Sequence, residues 1–197
     1  MFGTLELQAE VHEVVDSMIE RLRTLSRKSD GQFIAVDLRI EILENKNCHR
    51  SGSTRVKSCY NAEEIVLFFR KVGFDTDNTI YLSQSRWDNN LSVLKDIFPK
   101  TYTKETIMPE EKKGKFLKFE DSEFEKVIDF YICSQSDVFV PAISGLFYAN
   151  IAEKRIASGK PQILVLADIT CTSVAVTNYF SLYVSKKNHL TYLCFCY

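Results

Sequence analysis

The chain has 197 residues, of which 45% are hydrophobic and 26% charged, enough apolar material for one full-sized domain and nothing that predicts wholesale disorder. Its 25 basic residues are balanced by 26 acidic ones, a net charge of -1. That leaves no overall basic field to hold a nucleic acid, and the local cluster Lys112, Lys113 and Lys115 alternates with acids. No run of about 18 apolar residues occurs, and the N-terminus, with Glu6 and Glu10 in its first turns, lacks the basic-then-apolar pattern of a signal peptide. The sequence as it stands therefore predicts no membrane contact of its own.

Helical spacing is clearest over Leu7 to Lys28. Val11, Val14, Val15, Met18, Ile19, Leu22 and Leu25 recur at intervals of three and four, and Glu13, Asp16, Glu20, Arg23 and Arg27 cover the other face. Ser29, Asp30 and Gly31 end this helix. Phe33 to Leu38 is a short, nearly continuous apolar strand suited to the centre of a parallel sheet. A second helix is predicted over Ala62 to Val72, with Asn61 as its cap, acids in its first turn, bases in its last and Gly73 as its stop. Thr79 to Ser83 reads as a strand. Leu91 to Phe98 is the core of a third helix, started near Asp88 and stopped by Pro99. Tyr102 and its neighbours make another strand, and Glu105 to Asp121 is polar and interrupted by Pro109 and Gly114, a loop with one short helix at most.

Ser122 to Ser134 is again helical, with Phe124, Val127, Ile128, Tyr131 and Ile132 expected on one face. The strand Val138 to Val140, a helix to about Ser158 and a last apolar run, Ile163 to Ala167, complete the series. Alternating strands and helices predict an α/β domain, a Rossmann-like doubly wound parallel sheet with right-handed crossovers. The domain is placed at residues 1–168, followed by an irregular tail, 169–197.

In such a sheet ligands gather at the carboxyl ends of the strands, where three segments carry polar chemistry. In Asp37, Leu38, Arg39, Ile40 and Glu41, Leu38 and Ile40 share one parity and the three charged residues the other. Arg39 can fork two hydrogen bonds onto a phosphate, or it can simply pair with Asp37 or Glu41. Ser83 to Arg86 is a polar turn between strand and helix, without specificity of its own. The third segment, SDVFVPAISGLFYAN from Ser136 to Asn150, runs strand, small-residue turn and helix start in succession. Asp137 precedes the strand, and Ser144 and Gly145 open the helix. Backbone amides at such a helix start bind anions, a phosphate above all; the other reading is an ordinary turn that holds nothing.

Cys48 and Cys59 bracket a short polar loop that a disulfide could close in an oxidising compartment; two free thiols fit the spacing equally. Cys194 and Cys196 lack the further ligands a zinc site needs, so no metal is assigned.

FIAVDLRIE, the loop from Cys48 to Cys59, GFDTDNTIYLSQSRWDNNLSVLKDIFP, YTKE and SDVFVPAISGLFYANIAEKRIASGKPQILV together resemble the plant O-fucosyltransferase-like proteins, and within them the mannan-synthesis-related branch. The likeness runs from about residue 7 to 190. It implies a two-Rossmann-domain glycosyltransferase of the GT-B type, of which this chain resembles the C-terminal, nucleotide-binding half. It also implies an inverting transfer from a GDP-sugar, GDP-fucose by analogy, to a glycan or protein acceptor, with no metal or other cofactor. The implied setting is the Golgi lumen, full-length members being membrane-anchored. Arg39 then falls on the diphosphate, the Ser144 and Gly145 amides complete the anion site, and Asp137 takes the base or ribose; no general base is nominated. The family's H-x-R motif falls on Asp37, Leu38 and Arg39, so the arginine is kept while the histidine is an aspartate. A carboxylate beside a diphosphate repels it unless protonated or paired with Arg39. Two functions follow: transfer chemistry, supported by Arg39, Ser144 and Gly145, or a non-catalytic accessory role in a mannan-synthesising complex, supported by Asp37.

Overall fold

Short, almost wholly apolar strands need cover on both faces, and the fold supplies it. The computed structural model describes residues 9–40, 43, 59–117 and 123–166. Its strands are β1 (Phe33–Asp37), β2 (Thr79–Leu82), β3 (Thr101–Tyr102) and β4 (Val138–Pro141), which form one all-parallel sheet in the order β3-β2-β1-β4. The helices are α1 (Ala9–Leu25), α2 (Ala62–Val72), α3 (Ser92–Ile97), α4 (Lys104–Ile107), α5 (Glu110–Phe116), α6 (Glu123–Gln135) and α7 (Leu146–Ala157).

Strand parity sorts the core into two layers. Phe33, Ala35, Tyr81 and Phe139 face α1, α6 and α7, where Val14, Met18, Leu22, Ile128, Ile132 and Ile151 meet them. Ile34, Val36, Ile80, Leu82 and Val140 face α2 and α3, packing on Ile65, Phe69, Leu94 and Phe98. Helices on both faces of a parallel sheet are the Rossmann-like arrangement that the alternating pattern predicts.

The local signals act as expected in several places. Asn61 and Glu64 form a reciprocal capping box, Glu64 N donating to Asn61 Oδ1 at 2.9 Å and Asn61 N to Glu64 Oε2 at 3.0 Å. Gly73 closes α2 at φ 88°, a left-handed conformation that favours glycine. Asp88 accepts from Asn90 N at 2.7 Å and starts the turn that leads into α3.

Three expectations are corrected. The segment after Thr103 is not a loop with one short helix: it forms α4 and then α5, with Gly114 tolerated inside a helix. Among the described residues Ile163 does not begin a strand of its own; it makes a parallel bridge to Phe139 at the outer edge of β4, and Ala167 lies outside the described residues. Most informative is α6, where Phe124 is left exposed while Glu125 and Asp129 turn inward beside Ile128, Ile132 and Cys133. The boundary at 168 and the tail beyond it lie outside the described residues.

Candidate functional site

In the order β3-β2-β1-β4 the strands that follow β1 in the chain lie on one side of it and β4 on the other, so the carboxyl edge between β1 and β4 is the topological switch point, where ligands bind in such sheets. Asp37 at the end of β1 is in register with Pro141 at the end of β4. Arg39 and the Ser144–Gly145 turn therefore depart from adjacent strand ends. The Arg39 guanidinium carbon lies 4.9 Å from the ring centroid of Phe147, in the first turn of α7 just beyond Ser144 and Gly145, both exposed. The structure thus brings Asp37, Arg39, Ser144 and Gly145 to one place.

Gly145 is the residue before α7 and has φ 154° and ψ -172°. That extended region is accessible almost only to glycine. A Cβ built there would meet nothing within 4 Å, so backbone conformation and not crowding demands the glycine, and the space above it is open. Among the described residues no side-chain hydrogen bond caps this helix start.

Asp37 is buried, with 1% of its surface exposed. Ser83 Oγ donates to its Oδ1 at 2.9 Å, and Arg39 Nε stands 3.3 Å from the same oxygen. The Arg39 Nε–H is not aligned for a hydrogen bond, and Asp37 Oδ2 has no hydrogen-bond partner among the described residues; the contact is an ion pair and not a fork. Burial pushes the Asp37 carboxyl above its ordinary range, and Arg39 and Ser83 only partly oppose it. The polar turn after β2, undistinguished in sequence, holds this corner together. Besides Ser83, its Gln84 Oε1 accepts from Ile40 N at 2.9 Å and fixes the exit from β1. Glu41 lies outside the described residues.

A second, buried polar cluster lies beyond Ser83. Lys104 Nζ donates to Asp129 Oδ2 at 2.5 Å and stands 3.5 Å from Glu125 Oε2. Tyr81 Oη donates to Asp129 Oδ1 at 2.7 Å, and Ser85 Oγ donates to Glu125. Burial raises the Glu125 carboxyl, against Ser85 and Lys104, and pushes the Tyr81 hydroxyl well up. Glu125 and Asp129, one helical turn apart on α6, were the available sequence signal, hidden because an acid pair at that spacing normally marks a solvated face.

Asp137 is not at the carboxyl edge. It is in line with Phe33 at the amino edge of the sheet, where Phe33 N donates to its Oδ2 at 2.9 Å and Arg23 lies 3.8 Å away. Four residues of β1 separate it from the Asp37 end, about 13 Å of strand. A residue before a strand belongs to the amino edge, so the structure does not bring Asp137 together with Arg39, Ser144 and Gly145. Cys59 is disulfide-bonded; Cys48 lies outside the described residues, as do Cys194 and Cys196. Cys59 also bridges Ile143, and Tyr60 N donates to Ala142 O at 2.9 Å, so the segment that begins there is seated on the turn leading to Ser144.

Residues 3–157 match the family model described as GDP-fucose protein O-fucosyltransferase. The chain belongs to that family. It is 66% identical over 196 residues to the Arabidopsis thaliana protein MANNAN SYNTHESIS-RELATED 2, which covers 100% of this chain and 46% of the relative. Against MANNAN SYNTHESIS-RELATED of Trigonella foenum-graecum it is 50% identical over 194 residues, 98% of this chain and 47% of the relative. O-fucosyltransferase 6 of Arabidopsis thaliana is more distant, 25% identical over 219 residues, 95% of this chain and 36% of the relative. The chain spans about half the length of the mannan-synthesis-related relatives it matches. Among the described residues no helix is long and apolar enough to cross a membrane.

Proposed function

We propose that this chain is the donor-binding half of a GT-B-type glycosyltransferase of the O-fucosyltransferase kind, acting on a GDP-sugar in mannan synthesis in the Golgi lumen. Arg39 binds the diphosphate, and the amides that follow Ser144 and Gly145 complete the anion site. The observation that carries this reading is the position of Arg39 at the switch point of the sheet, over the first turn of α7. Fixed donors at that point stabilise the departing diphosphate as the sugar gains oxocarbenium character. The disulfide at Cys59 fits an oxidising lumen, and Cys48 is the partner we assign to it. The acceptor, and any complex with a glycan synthase, engage residues beyond this half.

Titration calorimetry with GDP, GDP-fucose and GDP-mannose tests the proposal. The chain is expected to bind GDP weakly and to transfer no sugar alone, because a half-cleft leaves the donor solvated and the acceptor unheld. Arg39→Ala should weaken GDP binding at least about tenfold, the loss expected for a charge-assisted contact of roughly 1.5–3 kcal/mol. Equal GDP affinity for wild type and Arg39→Ala removes Arg39 from the site; sugar transfer by this chain alone refutes the half-site reading.

The second reading, a non-catalytic accessory protein of a mannan-synthesising complex, is favoured by one observation. A buried acid stands beside Arg39 and neutralises part of the charge a diphosphate needs. On that reading no GDP-sugar binds at all.

A further inference from the structure

Arg39 is held from two directions. Asp37 Oδ1 lies 3.3 Å from its Nε, and the Phe147 ring lies under its guanidinium carbon at 4.9 Å. Phe147 is itself anchored, half-buried and packed on the core that α1, α6 and α7 share with the sheet. A ring rooted in a core is a fixed platform, unlike a neighbouring surface side chain that moves with its partner.

The cost of using a long cation to bind an anion is the freedom it gives up. An arginine side chain carries a large rotamer entropy, and whatever part of it is surrendered before the ligand arrives is not charged against binding. Stacking on an aromatic face surrenders it early. Here the ring takes one face of the guanidinium and Asp37 takes the Nε side. The end left by these two contacts is the Nη pair, whose parallel N–H groups match two oxygens of one phosphate.

We propose that Phe147 is a positioning residue for Arg39, an aromatic platform at the head of α7 that turns the Nη pair toward the anion received by the Ser144–Gly145 turn. This rests on the diphosphate reading of Arg39. It accounts for an aromatic residue in the first turn of the helix, where any apolar side chain would have filled the core.

The variants that test it are Phe147→Leu, which keeps apolar bulk and loses the π face, and Phe147→Tyr, which keeps both. With GDP as the probe in calorimetry on the full chain, Phe147→Leu should weaken binding about fivefold and Phe147→Tyr should stay within about twofold of wild type. Unchanged GDP affinity in Phe147→Leu, or an equal loss in both variants, overturns the proposal. A ligand-free measurement separates its failure from that of the diphosphate reading. In NMR of the unliganded wild type, the Arg39 δ-methylene protons should show an upfield ring-current shift, lost in Phe147→Leu and kept in Phe147→Tyr. Wild type that fails to bind GDP but shows that shift refutes the diphosphate reading and leaves the platform standing; absence of the shift in wild type refutes the platform whatever GDP does.

Discussion

Arg155→Leu is the sharpest test of how the sheet is fastened. Arg155 is fully buried in α7 and makes six hydrogen bonds: from Nη1 to Cys133 O (2.8 Å), Ser134 O (3.3 Å), Ser136 O (2.7 Å) and Ser136 Oγ (2.9 Å), and from Nη2 to Asp137 O and Gln162 O (both 3.0 Å). One guanidinium thus ties the end of α6, the start of β4 and the strand-like segment at Gln162 to α7. Burial lowers its pKa to about 10, so it remains a cation at neutral pH. At roughly 1.5–3 kcal/mol per charge-assisted bond the nominal sum approaches the 5–15 kcal/mol that stabilises a whole domain. The bonds cannot add that way, because removing the cation also removes its own desolvation cost. What remains is the set of carbonyls left without donors, at about 1–3 kcal/mol each where water cannot reach. With two of them stranded the loss is about 4 kcal/mol. Urea unfolding followed by the emission of Trp87, the single tryptophan, reads it directly: with a slope near 2 kcal/mol/M the midpoint should fall by about 2 M. Arg155→Lys, with three donors on one nitrogen, should lose roughly half as much. A midpoint within about 0.3 M of wild type for Arg155→Leu would mean that water replaces the guanidinium, and the fastening argument would fail.

Asp37→Asn should stabilise the chain at neutral and mildly alkaline pH. Burial raises the Asp37 carboxyl from its usual value near 3.8, so the folded chain holds this proton to higher pH than the unfolded one, and wild type loses stability as pH rises through the folded pKa. Scanning calorimetry at pH 8 and pH 4 should find the variant melting higher at pH 8 with the gap closing at pH 4; a variant that melts at or below wild type at pH 8 contradicts the burial argument. Lys104→Met should cost about 3–5 kcal/mol, since it leaves Asp129 and Glu125 buried without their cation. Adding Asp129→Asn should recover a substantial part in urea unfolding, and strictly additive losses would show that Lys104 does not compensate Asp129.

The fold was legible because its signals are local and repetitive. Asn61 and Gly73 mark α2 by capping chemistry, the apolar strands mark their own burial, and alternation forces the parallel sheet. The position of Arg39, Ser144 and Gly145 at the carboxyl edge was legible for a related reason: these residues follow strands. Asp137 precedes its strand, and the same rule, applied to direction, places it at the amino edge. Glu125, Asp129 and Lys104 were illegible because their burial depends on meeting one another across α6 and α4, information carried by neither segment alone. Phe147 was concealed differently. In sequence it is one more apolar residue in a helix, and only the path of the chain after β1 brings a guanidinium over its ring.

The seating of Cys59 on Ile143 carries a consequence for maturation. The half-cystine that leads into α2 touches the turn just ahead of Ser144, so a covalent bond formed after synthesis braces the same backbone that offers its amides at the head of α7. Chain made in a reducing cytosol would keep the hydrogen bonds of its sheet and would hold that turn by non-covalent contacts, among them Tyr60–Ala142, Cys59–Ile143 and Ala142–Asp37. Ligand competence and folding would then be separable by the redox history of the preparation.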